Sequence, residues 1–305
     1  MDWQTSPIRS HEIDVTWEIL EMGKAVASMH GAVSIVNAIA TGKGATLGIS
    51  LGIEAIVETE PGRGIIFENK ESTLSSRLIR NVVEKSVPKL DLEKNKIIIS
   101  VKSEIPSGYG LKSSSAISSV ISLACAKLFK PKATDIEILK DGVLASIESK
   151  VSITGAFDDA CACYFGGFVV TDNTNIKIIK SEKAPEDLSA IIFIPKSRRR
   201  GNVKKLKILN SVFSQAWDLA NKSDYWNAMI LNGLATSTIL GSDPKIITDL
   251  LDSGALGASV SGNGPSIAAV VKNDKISTVK KVFSSLDGSI IISPINNKKA
   301  EVHEV

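Results

Sequence analysis

The chain has 305 residues, 43% of them hydrophobic, and a mean hydropathy of +0.12, which is enough apolar material for a sizeable core and too much for a disordered chain. Lys plus Arg number 36 against 33 Asp plus Glu, and a net charge of +3 gives no electrostatic basis for nucleic acid or an anionic membrane as partner. Cys125, Cys161 and Cys163 form no C-x-x-C pair and no disulfide framework, which fits a reducing cytoplasm, and His11, His30 and His303 lack metal-ligand spacing.

Along the chain, strand-like and helix-like segments alternate, which predicts a mixed α/β (α+β) fold. Gly31–Ala40 is the apolar run closest to the core of a targeting segment, but it starts too late and is too short and polar to span a bilayer. Pro61-Gly62 marks a turn, and the β-branched run Ile97, Ile98, Ile99 and Val101 predicts a buried strand. Next comes Ile105-Pro106-Ser107-Gly108-Tyr109-Gly110-Leu111-Lys112-Ser113-Ser114-Ser115-Ala116, and then apolar residues at helical spacing from Ala116 to Phe129.

Strand, glycine turn and helix in that order make a phosphate cradle. Gly108 and Gly110 can take positive φ, the first helical turn leaves N–H groups unpaired, and three serines add hydroxyls. An ordinary loop followed by a serine-capped helix is the plainer alternative. No G-x-x-x-x-G-K-[ST] occurs, nor a strand-linked G-x-G-x-x-G, so nothing supports a P-loop or a dinucleotide fold.

Thr134 and Glu137 have capping-box spacing before a helix with Ile138, Leu139, Val143, Leu144 and Ile147 on its apolar face and Glu148 near its end. Thr154-Gly155-Ala156-Phe157-Asp158-Asp159-Ala160 follows, with Gly166-Gly167 behind it and a strand and hairpin at Val169–Asn173. Lys180–Asp187 is charged and turn-rich, which places a lobe boundary near residue 180 and divides the chain into 22–180 and 181–305. Beyond it lie a strand at Ile191–Pro195, the basic cluster Arg198, Arg199 and Arg200, and a turn at Asp243-Pro244. Ala255–Val271 reads as strand, glycine turn and strand around Ser261-Gly262-Asn263-Gly264-Pro265; a helix is expected over Ile276–Leu286 and a final strand at Ile290–Ile292.

Three of these segments resemble, in order, motifs of the GHMP kinase superfamily of galactokinase, homoserine kinase and mevalonate kinase. Pro106–Ala116 is similar to its second motif, Thr154–Gly167 to the segment carrying the catalytic aspartate in mevalonate kinase, and Ser259–Ser266 to its third motif. Gly31–Ala45, together with Lys112 and the triple serine, resembles the archaeal-type shikimate kinases of that superfamily. The resemblance begins near Met22 and leaves residues 1–21 as an extension without a counterpart.

The resemblance implies a two-lobed fold: an N-terminal ATP-binding lobe with the phosphate loop before a helix, and a ferredoxin-like C-terminal lobe. It implies transfer of the γ-phosphoryl group of ATP to the 3-hydroxyl of shikimate, with Mg2+. Pro106 to Ala116, Gly262 and Gly264 would bind nucleotide. Ser114 and Glu148 would serve the metal; Glu148 lies eleven residues before Asp159, as in the mevalonate kinase pattern. Asp159 would take the hydroxyl proton. Asp158 is the competing choice, because homoserine kinase places its aspartate one residue earlier; one of the two could instead cap a helix starting at Ala160.

Lys112 could pair with phosphate or with the substrate carboxylate. Lys24 resembles a first-motif lysine, although the residues after it depart from that motif. Shikimate carries a carboxylate and three hydroxyls, so a cation and neutral donors are needed. Arg198, Arg199 and Arg200 are the densest cationic cluster, and Asn37, Thr41 and Lys43 are alternative contacts. A homoserine or other small-alcohol kinase, and a nucleotide-binding protein without activity, are the alternative readings.

Overall fold

Burial alternates along the first half of strand β1 (Lys24–Val36), with Ala25, Ala27 and Met29 inward, and becomes continuous over its second half. One face of the first half is therefore covered and both faces of the second. The computed structural model describes residues 22–68, 75–199 and 201–305. The extension at residues 1–21 lies outside them.

β2 (Lys43–Pro61) runs antiparallel beside β1 over nearly its whole length. Its later half pairs with β4 (Asn95–Ser103) and its earlier half with β5 (Phe168–Asp172). β3 (Gly64–Phe67) joins β4 in parallel, and β6 (Lys177–Glu182) closes a hairpin on β5. Against this sheet lie α1 (Ser76–Ser86), the short α2 (Lys89–Lys94), α3 (Ser113–Phe129), α4 (Asp135–Glu148) and α5 (Phe157–Phe165).

α3 is the central helix of this half. It is buried on nearly every side, so its sequence carries no polar face. Close approach is bought with small side chains: Gly142 of α4 packs on the Ser118 backbone, and the Ser86 hydroxyl of α1 donates to Ser122 at 3.1 Å. Thr134 forms the expected capping box at the start of α4.

The second half follows with β7 (Leu188–Pro195), a 3₁₀ turn at Val203–Leu209, α6 (Asn210–Asn221), α7 (Tyr225–Leu240), α8 (Pro244–Asp252), β8 (Gly257–Val260), β9 (Ile267–Lys272), α9 (Ile276–Lys280) and β10 (Gly288–Pro294). Its sheet order, β10-β7-β9-β8, is the antiparallel ferredoxin-like arrangement. The helix expected over Ile276–Leu286 is shorter than its pattern: α9 gives way to a 3₁₀ turn at Lys281–Ser285. The Ile290–Ile292 strand is not the last, because β11 (Glu301–Glu304) returns to pair with β1. The boundary expected near residue 180 falls inside β6, and we propose that the lobes divide after Glu182. Among the described residues no helix is long and apolar enough to cross a membrane.

α7 packs on β8 so closely that a Cβ at Gly233 would run into the Ala258 carbonyl. Alanine for glycine inside a helix ordinarily adds about 1 kcal/mol of stability. Here we expect Gly233→Ala to destabilise by about 1–3 kcal/mol, as overpacking does, and a thermal melt of the variant to show a lower midpoint.

Candidate active site

The phosphate loop leaves β4 at Ser103 and enters α3 at Ser113. Gly108 and Gly110 both have φ of 83°, and Lys112, at the cap position of α3, is left-handed with φ of 68°. The first α-helical bond runs from the Ala116 amide to the Lys112 carbonyl at 2.9 Å. The amides of Ser113, Ser114 and Ser115 therefore have no partner within the helix, and these residues line a cavity of about 260 Å³. α3 thus starts three residues before the apolar pattern, because its first turn is made of the serines.

The third motif braces this loop from behind. The Ser266 hydroxyl donates to the Tyr109 carbonyl at 2.6 Å, and the Ser261 hydroxyl to the Gly110 carbonyl at 2.9 Å. A side chain on Gly110 would strike the Ser261 backbone, so both its conformation and its lack of a Cβ are required. Gly262 and Asn263 reach the cavity wall.

α5 enters the same cavity from the other side. Ala156, left-handed with φ of 53°, precedes the helix, and Asp158 and Asp159 stand in its first turn, where a carboxylate is favoured by the helix dipole. The helix begins at Phe157 rather than Ala160, so neither aspartate is its cap residue.

Asp158 is fully buried. Its carboxylate accepts from Asn173 Nδ2 at 2.7 Å and from the Thr46 hydroxyl at 3.1 Å, and its amide donates to Asn173 Oδ1 at 3.1 Å. Gly44 leaves the room it needs, since a Cβ there would overlap the carboxylate. Asp159 opens on the cavity with 15% of its side chain exposed, paired with Lys112 Nζ at 2.9 Å. Burial and the negative charge of Asp158 push the Asp159 carboxyl up to about 7, although Lys112 pulls in the opposite direction.

Lys112 is itself buried, and its ammonium also donates to Ser34 Oγ at 2.7 Å, which in turn accepts from the Gly262 amide at 3.0 Å. Ser34, Thr46, Asn173 and Asn263 were not singled out by the sequence. Ser34 lies within the Gly31–Ala45 segment and Asn263 within the third motif, Asn173 is marked only as the end of a hairpin, and Thr46 carries no signal.

The remaining expected residues divide. Of the phosphate loop, Gly108, Gly110, Lys112 and the three serines line the cavity, whereas Leu111 and Ala116 are core and Pro106, Ser107 and Tyr109 shape the loop around them. Gly264 lies behind Gly262, its amide bonded to the Ser261 carbonyl. Asn37 lines the cavity and donates to the Gly262 carbonyl at 2.7 Å. Thr41 closes its own turn onto Lys43, whose ammonium sits 4.5 Å from the Trp217 ring centroid; neither lines the cavity. Arg198 lies on Tyr109, 5.0 Å from the ring centroid and with Nε 3.3 Å from its hydroxyl, while Arg199 is exposed beside it. Arg200 lies outside the described residues.

Two sites depart from expectation. Glu148 does not line the cavity: it ends α4 with its carboxylate 2.5 Å from Lys85 Nζ, because the basic last turn of α1 packs beside it. Lys24 lies at the opposite end of β1, paired with Glu58 at 2.6 Å. Among the described residues no three His, Cys, Asp or Glu side chains group as a metal cage. Ser114, a hard oxygen donor, lines the cavity.

A serine-rich helix N-terminus, a glycine-rich third motif and an aspartate–lysine pair around one cavity define a kinase of the GHMP class, and the family of GHMP kinases N terminal domains matches residues 77–167. The fold agrees: a homoserine kinase from Cytophaga hutchinsonii superposes with a TM-score of 0.70 at 18% identity, over 95% of this chain and 100% of that one. The Methanococcus jannaschii mevalonate kinase superposes with a TM-score of 0.68 at 16% identity, over 89% and 98%. In sequence the chain is 40% identical over 281 residues to the shikimate kinase of Methanosarcina mazei, covering 90% of this chain and 95% of that protein. The chain belongs to this GHMP-type shikimate kinase family, a family of ATP-dependent small-molecule kinases.

Replacing Lys112 by Met removes the cation that holds Asp159 down. We expect the acid limb of the activity profile to move to higher pH, with part of the lost turnover regained on the alkaline side; an unmoved limb would show that the pair does not control Asp159.

Proposed function

We propose that this chain is a shikimate kinase, transferring the γ-phosphoryl group of ATP to the 3-hydroxyl of shikimate to give shikimate 3-phosphate and ADP, a step toward chorismate and the aromatic amino acids. The observation that carries the reading is the Lys112–Asp159 pair, facing the same cavity as the open end of α3. Phosphoryl transfer asks little covalent work of a protein; it asks for in-line placement, charge neutralisation and a base.

In this reading the amides of Ser113–Ser115, with Gly108, Gly110 and Gly262, hold the phosphates. Ser114 serves the magnesium ion, which when bound offsets phosphate charge; Glu148 would have to release Lys85 to join it. Asp159 accepts the proton of the attacking hydroxyl. Lys112 steadies the ionised carboxylate and the charge that develops as the oxygen attacks. Asn37 is the neutral side chain offered to the acceptor from the cavity wall, and Arg198, stacked on Tyr109 at the edge of the loop, is the cation for the shikimate carboxylate, with Arg199, Arg200, Thr41 and Lys43 as outer contacts.

Acceptor charge separates this reading from homoserine. An amino acid brings an ammonium group that needs an uncommitted carboxylate. Of the described residues lining the cavity only Asp158 and Asp159 are acidic, the first buried and held by Asn173 and the second paired with Lys112.

Release of ADP with ATP and magnesium, measured against shikimate, homoserine, mevalonate and galactose, tests the proposal; turnover with homoserine in place of shikimate would overturn it. Asp159→Asn should lower kcat by about 10²- to 10⁴-fold, the range for a lost general base, with ATP affinity nearly kept. Because the base must be ionised and its carboxyl titrates near 7, kcat/KM for shikimate should fall as pH drops below about 7.

A further inference from the structure

Thr46 stands on β2 with none of its surface exposed. Its hydroxyl lies 3.1 Å from Asp158 Oδ2 and 3.3 Å from Asp159 Oδ1. A hydroxyl has one hydrogen to donate, and both neighbours are acceptors, so it serves one carboxylate at a time. When it serves Asp158, Asp159 keeps Lys112 and its open side on the cavity; when it serves Asp159, Asp158 keeps only Asn173.

The two aspartates are not equivalent. Asp158 is anchored on the side away from the cavity by Asn173, whose Oδ1 accepts in addition from the Thr171 hydroxyl at 2.6 Å, so the anchor is itself fixed. Asp159 faces the cavity and Lys112. Other titratable groups facing the pair are the Cys161 and Cys163 thiols of α5, which burial holds well above the usual thiol range. From β1 and β2 the facing polar side chains are Ser34 and Thr46, which carry no charge.

We propose that Thr46 is a positioning residue for proton transfer, its hydroxyl hydrogen bonded to Asp159 while that carboxylate is ionised and turning to Asp158 once Asp159 has taken the proton of the substrate hydroxyl. In that step the acceptor O–H bond breaks, the O–P bond forms, the bond from the γ-phosphorus to its bridging oxygen breaks with the electron pair leaving on ADP, and the proton resides on Asp159. Thr46 exchanges only hydrogen-bond partners and forms or breaks no covalent bond. The turn offsets the cost of two adjacent carboxylates in a closed space: whichever of the two carries more negative charge receives the donor.

The catalytic part of this inference rests on Asp159 as the base of the proposed function, whereas the hydrogen-bond switch itself can be read on the free protein. Carbon-13 NMR of protein labelled at the aspartate carboxyl carbons, titrated between pH 5 and 9, should show the Asp158 signal moving in step with the Asp159 titration. An Asp158 signal that ignores Asp159 overturns the switch whether or not shikimate is turned over.

In Thr46→Val the Asp159 midpoint should rise by about one pH unit, the equivalent of one hydrogen bond to a charged group. Turnover at neutral pH should fall several-fold and return at alkaline pH, and Thr46→Ser should restore both. A loss of turnover equal at every pH, with the midpoint unmoved, would mean that Thr46 only packs. If the valine variant does not fold, the wild-type titration and the serine variant still decide.

Discussion

The site hangs on the ammonium group of Lys112. Its backbone is held left-handed at the entrance to α3, and its side chain turns back to meet Asp159 from α5 and Ser34 from β1, with Gly262 of the third motif against the same serine. Four segments far apart in sequence are thereby fixed around one charge. Such a buried pair is a poor way to gain stability: removing two ions from water costs several kcal/mol for each, and well-packed apolar residues often do as well or better. Its place at the wall of the cavity fits the proposed chemistry, in which an attacking hydroxyl would need a base beside a cation.

The third motif braces the phosphate loop as well as lining the cavity with Gly262 and Asn263. Gly264 lies behind the wall, and Ser261 and Ser266 spend their hydroxyls on the carbonyls of Gly110 and Tyr109. Those bonds occupy two carbonyls of the phosphate loop, so that in the proposed reading a phosphate would be left to the amides of α3. Electrostatic selection for an anion is thus made partly by where the unfavourable dipoles are sent.

Much of the architecture was legible because it rests on local rules. The capping box at Thr134, the glycine turn before α3 and the β5 hairpin are statements about a few consecutive residues, and each appears where the pattern put it. β11 was not legible, since a short polar edge strand has no periodicity and owes its conformation to pairing with β1. The start of α3 was missed by one turn because serines in a first turn look like loop. Within the site, Asp158, Asp159 and Lys112 were readable as residue types in a motif, but the division of labour between the aspartates was not. That division depends on Asn173, Thr46 and Gly44, which come from three different places and carry no charge. Glu148 marks the reverse case: its spacing fits a pattern, but its carboxylate is paired with Lys85 of α1 and does not line the cavity.

A lysine in the first motif sits on β1, and here that strand places its lysine at the far end of the sheet, bound to Glu58. The demand for a cation beside the base is unchanged, because a buried carboxylate next to another carboxylate cannot stay ionised near neutral pH without one. It is met instead from the phosphate loop, at a position whose left-handed backbone aims the side chain inward over the helix N-terminus. In the proposed reading the same charge would border both the phosphates and the acceptor oxygen, one ammonium group offsetting negative charge at both ends of the bond being made. A lysine arriving along β1 would reach the base without standing over the amides of α3, and the cavity would need a second cation for the phosphate side.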